Sequence, residues 1–212
     1  MATYQNSEKT RTSLIEAAGE LFAEKGISAV TTREIAQKAG AAQNAITYHF
    51  GGIKGLINAV WAHVLIEWEP GSFRSYIREN AELLKSRAGA QKLVSGAIHR
   101  LFQIMYRPDR PLWISKFLVH SALSRIGREQ VAQTISGNIV PLLTDLYSQL
   151  SGDDDHDAAL CWCLRILAAP MVFTANLTEF AKFQRGKNVN RQLYFKLEEI
   201  TIREALFAVG LA

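Results

Sequence analysis

Cysteine is nearly absent: the 212 residues hold two, Cys161 and Cys163, too few for a disulfide framework. Two residues apart on a helix they point to different sides, so they read as packed side chains and not as joint ligands of one metal. No apolar run approaches the ~20 residues that span a bilayer. The longest, Ile166 to Ala175, is bordered by Arg165, and no membrane partner is expected. The first residues, Met1 to Asn6, show no basic stretch leading into an apolar one. No secretory signal is read there, and a cytoplasmic protein is expected. Period-two alternation of β-branched residues between turn signals is missing, as are internal repeats and low-complexity tracts.

Catalytic and metal chemistry are also poorly represented. His63, His99 and His120 are isolated on helical faces, with no Ser or Cys in a shared motif, so the chain does not read as an enzyme. The run Asp153, Asp154, Asp155, His156, Asp157 lacks the glycine and distal glutamate of a calcium loop. Acids placed before a helix instead complement its positive end. No cofactor or metal is expected. A large charge imbalance is lacking too. The net charge is +4, and the first sixty residues net only +1: Lys9, Arg11, Lys25, Arg33, Lys38 and Lys54 against Glu8, Glu16, Glu20, Glu24 and Glu34. Any affinity for a polyanion must then come from where the charges sit.

What remains is helix throughout, and the spacing predicts an all-α fold of about nine or ten helices. From Ser7 to Lys25, Leu14, Ala17, Ala18, Leu21 and Phe22 share one face, with Glu16, Glu20 and Glu24 opposite. Gly26 stops this segment. Thr31-Thr32-Arg33-Glu34 is a capping box opening a short helix that Gly40 ends. A third helix starts near Ala42 or Gln43 and reaches His49 or Phe50. Gly51-Gly52 precedes a fourth, from Ile53 to about Glu67. Longer helices are predicted at 73–87, 90–106, 112–124, 128–150, 157–183 and 191–209.

Two short helices joined through a glycine and packed on a longer one form a unit that can place the second short helix in the major groove of duplex DNA. The side chains suit that use. Gln43 and Asn44 carry amides able to pair with adenine. Thr47, Tyr48 and His49 can donate to phosphates or meet a thymine methyl. Ala45 and Ile46 are expected to face inward.

The stretch from Thr10 to Val60 resembles the DNA-binding domain of the tetracycline-repressor (TetR) family of regulators. The residues that carry the resemblance are AAGELFAEKG, TTREIAQKAG, ITYHF and the following KGLINAV, in that order. The resemblance implies a three-helix helix-turn-helix domain over residues 1–52 and a larger helical effector-binding and dimerisation domain over residues 53–212. It assigns Thr32 and Arg33 to backbone or groove-edge contacts, and Gln43, Asn44, Thr47, Tyr48 and His49 to the recognition helix. The family commonly places a phosphate-holding lysine at the start of the fourth helix. Here Ile53 stands there and Lys54 follows. Thr47 replaces a common tyrosine, and Ala42 a common Ser or Thr cap.

The family's larger domain implies a pocket for a small-molecule effector. The candidates among its apolar side chains are Trp61, Met105, Trp113, Phe117, His120, Trp162 and Phe173, with Trp68, Tyr106 and Met171 nearby in kind. The last two long helices are apolar on more than one face, through Leu160, Leu164, Leu167, Leu193, Leu197 and Ile200. The family dimerises through such helices as a four-helix bundle. A homodimer would present recognition helices about 34–36 Å apart to a palindromic operator. The expected function is a repressor that the effector releases; the alternative is an interaction protein of the same fold that has lost specific operator binding.

Overall fold

Helix follows helix in the computed structural model, which describes residues 2–68, 71–107, 109–124, 127–176 and 191–212. The helices are α1 (Ala2–Lys25), α2 (Thr32–Ala39), α3 (Asn44–Phe50), α4 (Ile53–Trp68), α5 (Gly71–Glu79), α6 (Arg87–Met105), α7 (Leu112–Leu123), α8 (Arg128–Asn138), α9 (Val140–Ser151), α10 (His156–Ala175) and α11 (Arg191–Ala208). No strand occurs among the described residues, and the all-α expectation holds.

Two segments expected as single helices are broken, each for a local reason. Over 73–87 the helix stops at Asn80, whose side-chain amide donates to the carbonyl of Tyr76 at 2.9 Å. Ser86 then caps α6 by accepting from the amide of Gly89 at 3.1 Å. Over 128–150 the interruption falls at Ile139, ahead of Pro141 at the start of α9. Proline has no N–H to give to the carbonyl four residues back. That carbonyl, of Gly137, is taken instead by Arg74 Nη2 at 3.1 Å. The helix expected over 157–183 is described as far as Ala175, and residues 177–190 lie outside the described set, as does the Trp68 side chain.

The chain divides into two compact units. One comprises Met1–Trp68 and Pro108–Arg128, the other Glu69–Arg107 and Glu129–Ala212. This differs from a division at residue 52 because packing, not chain order, sets it. In the first unit α4 and α7 both pack on α1. Leu56, Val60 and Val64 of α4 and Ile114, Phe117 and Leu118 of α7 are buried along with Leu14, Ala18 and Phe22 of α1. Each large apolar side chain so buried contributes about 1.5–3 kcal/mol, which is ample reason for both helices to stay with α1.

In the second unit α10 and α11 pack on each other and on α6, and α9 packs on α10. Tyr194 of α11 organises the middle: its hydroxyl donates to the carbonyl of Phe102 at 2.6 Å. Its ring centre lies within about 5 Å of those of Phe102, Tyr106 and Phe173. Trp162 Nε1 donates to the carbonyl of Ala205 at 3.1 Å, tying α10 to α11. The acidic run before α10 serves as its cap, Asp155 accepting from the amides of Asp157 and Ala158. At 20 residues α10 is long and apolar enough to cross a membrane by length and composition, longer than the run Ile166 to Ala175 suggests. Ala159, Trp162, Cys163, Ile166, Leu167, Pro170 and Phe173 are nevertheless buried in the packing of the unit. That burial pushes the Cys163 thiol up to about 11, which disfavours a thiolate.

Candidate nucleic-acid interface

Helix α2 opens on a complete capping box. Thr31 Oγ1 accepts from the amide of Glu34 at 3.2 Å, and Glu34 Oε2 accepts from the amide of Thr31 at 2.9 Å. Lys25, at the end of α1, reaches Glu34 Oε1 at 2.8 Å. With the lysine and Thr31 both donating to it, Glu34 has its acidity increased, its pKa falling to about 2. A second pair, Lys38 to Glu20 at 2.8 Å, fastens the other end of α2 to α1. That carboxylate beside it raises the pKa of Lys38. Helix α2 is therefore tied to α1 at both ends.

Gly40 ends α2 in the left-handed region, at φ 62°, where its amide meets the carbonyls of Ala36 and Gln37. That conformation is open to glycine at no steric cost, and it lets α3 begin four residues later. Helix α3 starts without a side-chain cap, in keeping with Ala42 where a hydroxyl is common. Ile46 is its buried anchor, with Ala45 half-buried beside it. The inward-facing pair is as expected. Phe50, at the far end of α3, lies under the guanidinium of Arg11 from α1, 5.5 Å from its ring centre. Gly55 allows the closest approach of α3 and α4: a Cβ there would overlap the carbonyl oxygen of Phe50.

The opposite face of α3 is open. Gln43, Asn44, Thr47 and Tyr48 are exposed; Tyr48 is 80% exposed, unusual for an aromatic side chain. His49 is half-buried and meets Tyr48 edge to face, the ring centres 4.9 Å apart. Gln43 Nε2 lies 3.4 Å from Thr32 Oγ1, linking the starts of α2 and α3. Arg33 and Lys54 are exposed and have no ion-pair partner among the described residues. The eight DNA-contact candidates thus lie on α2, on α3 with Gln43 just before it, and on the first turn of α4, within one unit.

The effector candidates are not gathered in this way. Trp61, Trp113 and Phe117 are buried in the first unit, Trp61 and Phe117 packing edge to face at 4.7 Å, and half-buried His120 lies on α7 of the same unit. Met105, Trp162 and Phe173 are buried in the second. Of the apolar residues singled out on α10 and α11, Leu167 is buried in its own unit, Leu160 and Leu193 are half-buried, and Leu164 is exposed. Leu197 and Ile200 line a groove of about 370 Å³ between α10 and α11, with Trp162, Arg165, Ala168 and Glu204.

A short helix with an open polar face, held behind a capped partner helix, is the helix-turn-helix of a DNA-binding transcription regulator. The model of bacterial regulatory proteins of the tetR family matches residues 14–60. The HTH-type transcriptional dual regulator CecR of Shigella flexneri is 31% identical over 166 residues, 72% of this chain and 70% of that protein. The chain belongs to the TetR family of regulators. The tetracycline repressor protein class D of Escherichia coli is 34% identical over 93 residues, 38% of this chain and 43% of that protein. The fold extends further than the sequence likeness. A transcriptional regulator of Aquifex aeolicus VF5 superposes with a TM-score of 0.54 at 17% identity, over 94% of this chain and 99% of that one.

Some parts of this unit escaped sequence reasoning. The pairs Lys25–Glu34 and Lys38–Glu20 join different helices, so no i,i+4 spacing announces them. The cation over Phe50 is equally non-local. The signal for α7 was weak but present: Gly19, alone in a helical pattern, marks a position where something approaches the backbone closely.

Proposed function

We propose that this regulator is a homodimeric repressor that binds a palindromic operator and is released by a small-molecule effector, acting in the cytoplasm. The observation that carries the reading is the open face of α3. Tyr48, Gln43, Asn44 and Thr47 stand exposed on a helix whose other side is anchored by Ile46. Amide and hydroxyl groups at such positions read base edges and phosphates, and Arg33 and Lys54 add unpaired positive charge. For the partner copy, the support is the exposed Leu164 and Val172 on α10, beside the groove lined by Leu197 and Ile200. Exposed apolar residues at helical spacing suit a second copy of the same face. For the effector, Trp61, Trp113 and Phe117 are already used in the first unit's core. Met105, Trp162 and Phe173 are buried in the second unit in the same way, so half-buried His120 is the candidate with surface left to offer a ligand. The effector acts only through its different affinities for the operator-binding and released states.

Selection from a random pool of duplex DNA tests the reading. It should enrich a twofold-symmetric site with half-sites about one helical turn apart. Transcription from a promoter carrying that site should fall when the protein is present. A pool that shows no enrichment, or a site without symmetry, contradicts it.

A further inference from the structure

Helix α7 follows α6 in the chain, far from the reading helices, yet it packs along α1 and against α4. The contact is specific at Trp113. A Cβ at Gly19 of α1 would fall 2.3 Å from Cζ3 of Trp113 and 2.5 Å from Cη2, so the indole lies directly on the α1 backbone where no side chain intervenes. The second partner of the ring is His63 of α4, stacked on it at 5.8 Å between centres and 16° between planes. Phe117, one turn further along α7, meets Phe22 of α1 and Trp61 of α4. The ring of Trp113 therefore spans α1 and α4. Lys54 is the second residue of α4, whose first turn is fitted against the end of α3 at Gly55. Helix α7 is also joined by the chain to the second unit at both of its ends.

We infer that Trp113, seated between Gly19 of α1 and His63 of α4, is a positioning residue for DNA binding. It sets where the first turn of α4 holds Lys54 against a phosphate, which makes α7 a working part of the reading unit. The inference rests on the operator-binding reading above. Trp113 does not touch DNA in this scheme, and it acts through α4. Nine residues of helix, about 13 Å, separate His63 from Lys54, beyond the range at which independent substitutions couple.

The test is a double-mutant cycle of Trp113→Leu and Lys54→Gln, read as affinity for the duplex enriched by the wild-type protein. Lys54→Gln should weaken binding at least tenfold, Trp113→Leu several-fold, and the double variant no more than Lys54→Gln alone. Circular dichroism and light scattering should show the wild-type helix content and oligomeric state in all three. If Trp113→Leu does not fold, Trp113→Phe, which keeps an aromatic face towards His63, carries the same cycle with a smaller loss. Losses that multiply in the double variant overturn the inference, because they place Trp113 and Lys54 in independent roles. So does wild-type affinity in the Trp113 variant, or an Lys54→Gln variant that binds as well as wild type. If the wild-type protein itself enriches no duplex, the operator reading falls and the inference with it. That outcome is visible without any variant.

Discussion

The open face of α3 and the apolar side chains exposed on α10 and α11 are both large, with opposite chemistry. On α3 the most exposed aromatic is Tyr48, with a hydroxyl at its tip and the amides of Gln43 and Asn44 nearby. Among the side chains exposed on α10 and α11, Leu164, Val172, Phe195 and Phe207 are large and apolar, the last 76% exposed, and Arg165 and Glu204 pair across the groove at 2.9 Å. A face of amides and hydroxyls keeps its groups satisfied in water and exchanges those contacts for phosphates and base edges. An apolar face gains only by losing water, so its partner must be apolar too. The contrast matches the two partners proposed above: nucleic acid for the first, a second copy of the chain for the second.

Substitutions that exchange the chemistry of one face at a time should therefore separate the two activities. The largest effect is expected at Leu164→Glu. An uncompensated charge forced into a dimer interface costs about 3 kcal/mol or more, over a hundredfold in the dimer's dissociation constant. Light scattering should report monomers at concentrations where the wild type is dimeric, with unchanged helix content. Next comes Tyr48→Ala or Gln43→Ala. Losing one good base or phosphate contact costs about 1–3 kcal/mol, so operator affinity should fall roughly 5- to 150-fold in a mobility-shift titration while the dimer persists. If either variant disturbed both properties equally, the division between the faces would fail.

The smallest effect concerns the support behind α3. Glu34 is held down to about pKa 2 by Lys25 and by the Thr31 cap, against 4.5 for the free group. Its stabilising contribution is therefore complete above pH 4.5 and is lost as the pH falls from there towards 2. Glu34→Gln should melt a few degrees below wild type at neutral pH. The gap should close between pH 4.5 and 2, as followed by thermal circular dichroism. A gap that stayed constant with pH would mean the carboxylate's charge contributes nothing.

Much of the first unit was legible because its signals are local. The capping box at Thr31 and Glu34, the stop at Gly40 and the inward Ile46 all act within a few residues of themselves. The polar face from Gln43 to His49 could be read for the same reason. Periodicity tells which face of a helix is buried, however, and not against which partner. It therefore gave no means of assigning α7 to α1, or of seeing that Trp113 and Phe117 are occupied in the first unit's core. The break at Ile139 has a local cause, the missing N–H of Pro141; what periodicity could not show is that Arg74, 63 residues before Gly137, donates to the freed carbonyl. The acidic run at Asp153 to Asp157 was read correctly as a helix start, since a cap is again a local device.

Salt dependence of operator binding tests the account most directly, because it weighs the polar face of α3 together with the few unpaired cations around it. Lys25 and Lys38 are engaged in ion pairs and Arg11 lies over Phe50; of the remaining cations Lys9, Arg33 and Lys54, the two carried by α2 and α4, Arg33 and Lys54, are placed with the α3 face to meet phosphates. Fluorescence anisotropy with the enriched duplex should give binding tighter than about micromolar at low salt. The logarithm of the association constant should fall with the logarithm of salt concentration at a slope of about −4, for a dimer that neutralises four phosphates. Absence of binding below micromolar at low salt, or an affinity indifferent to salt, would contradict the assignment of α3 as a DNA-reading helix.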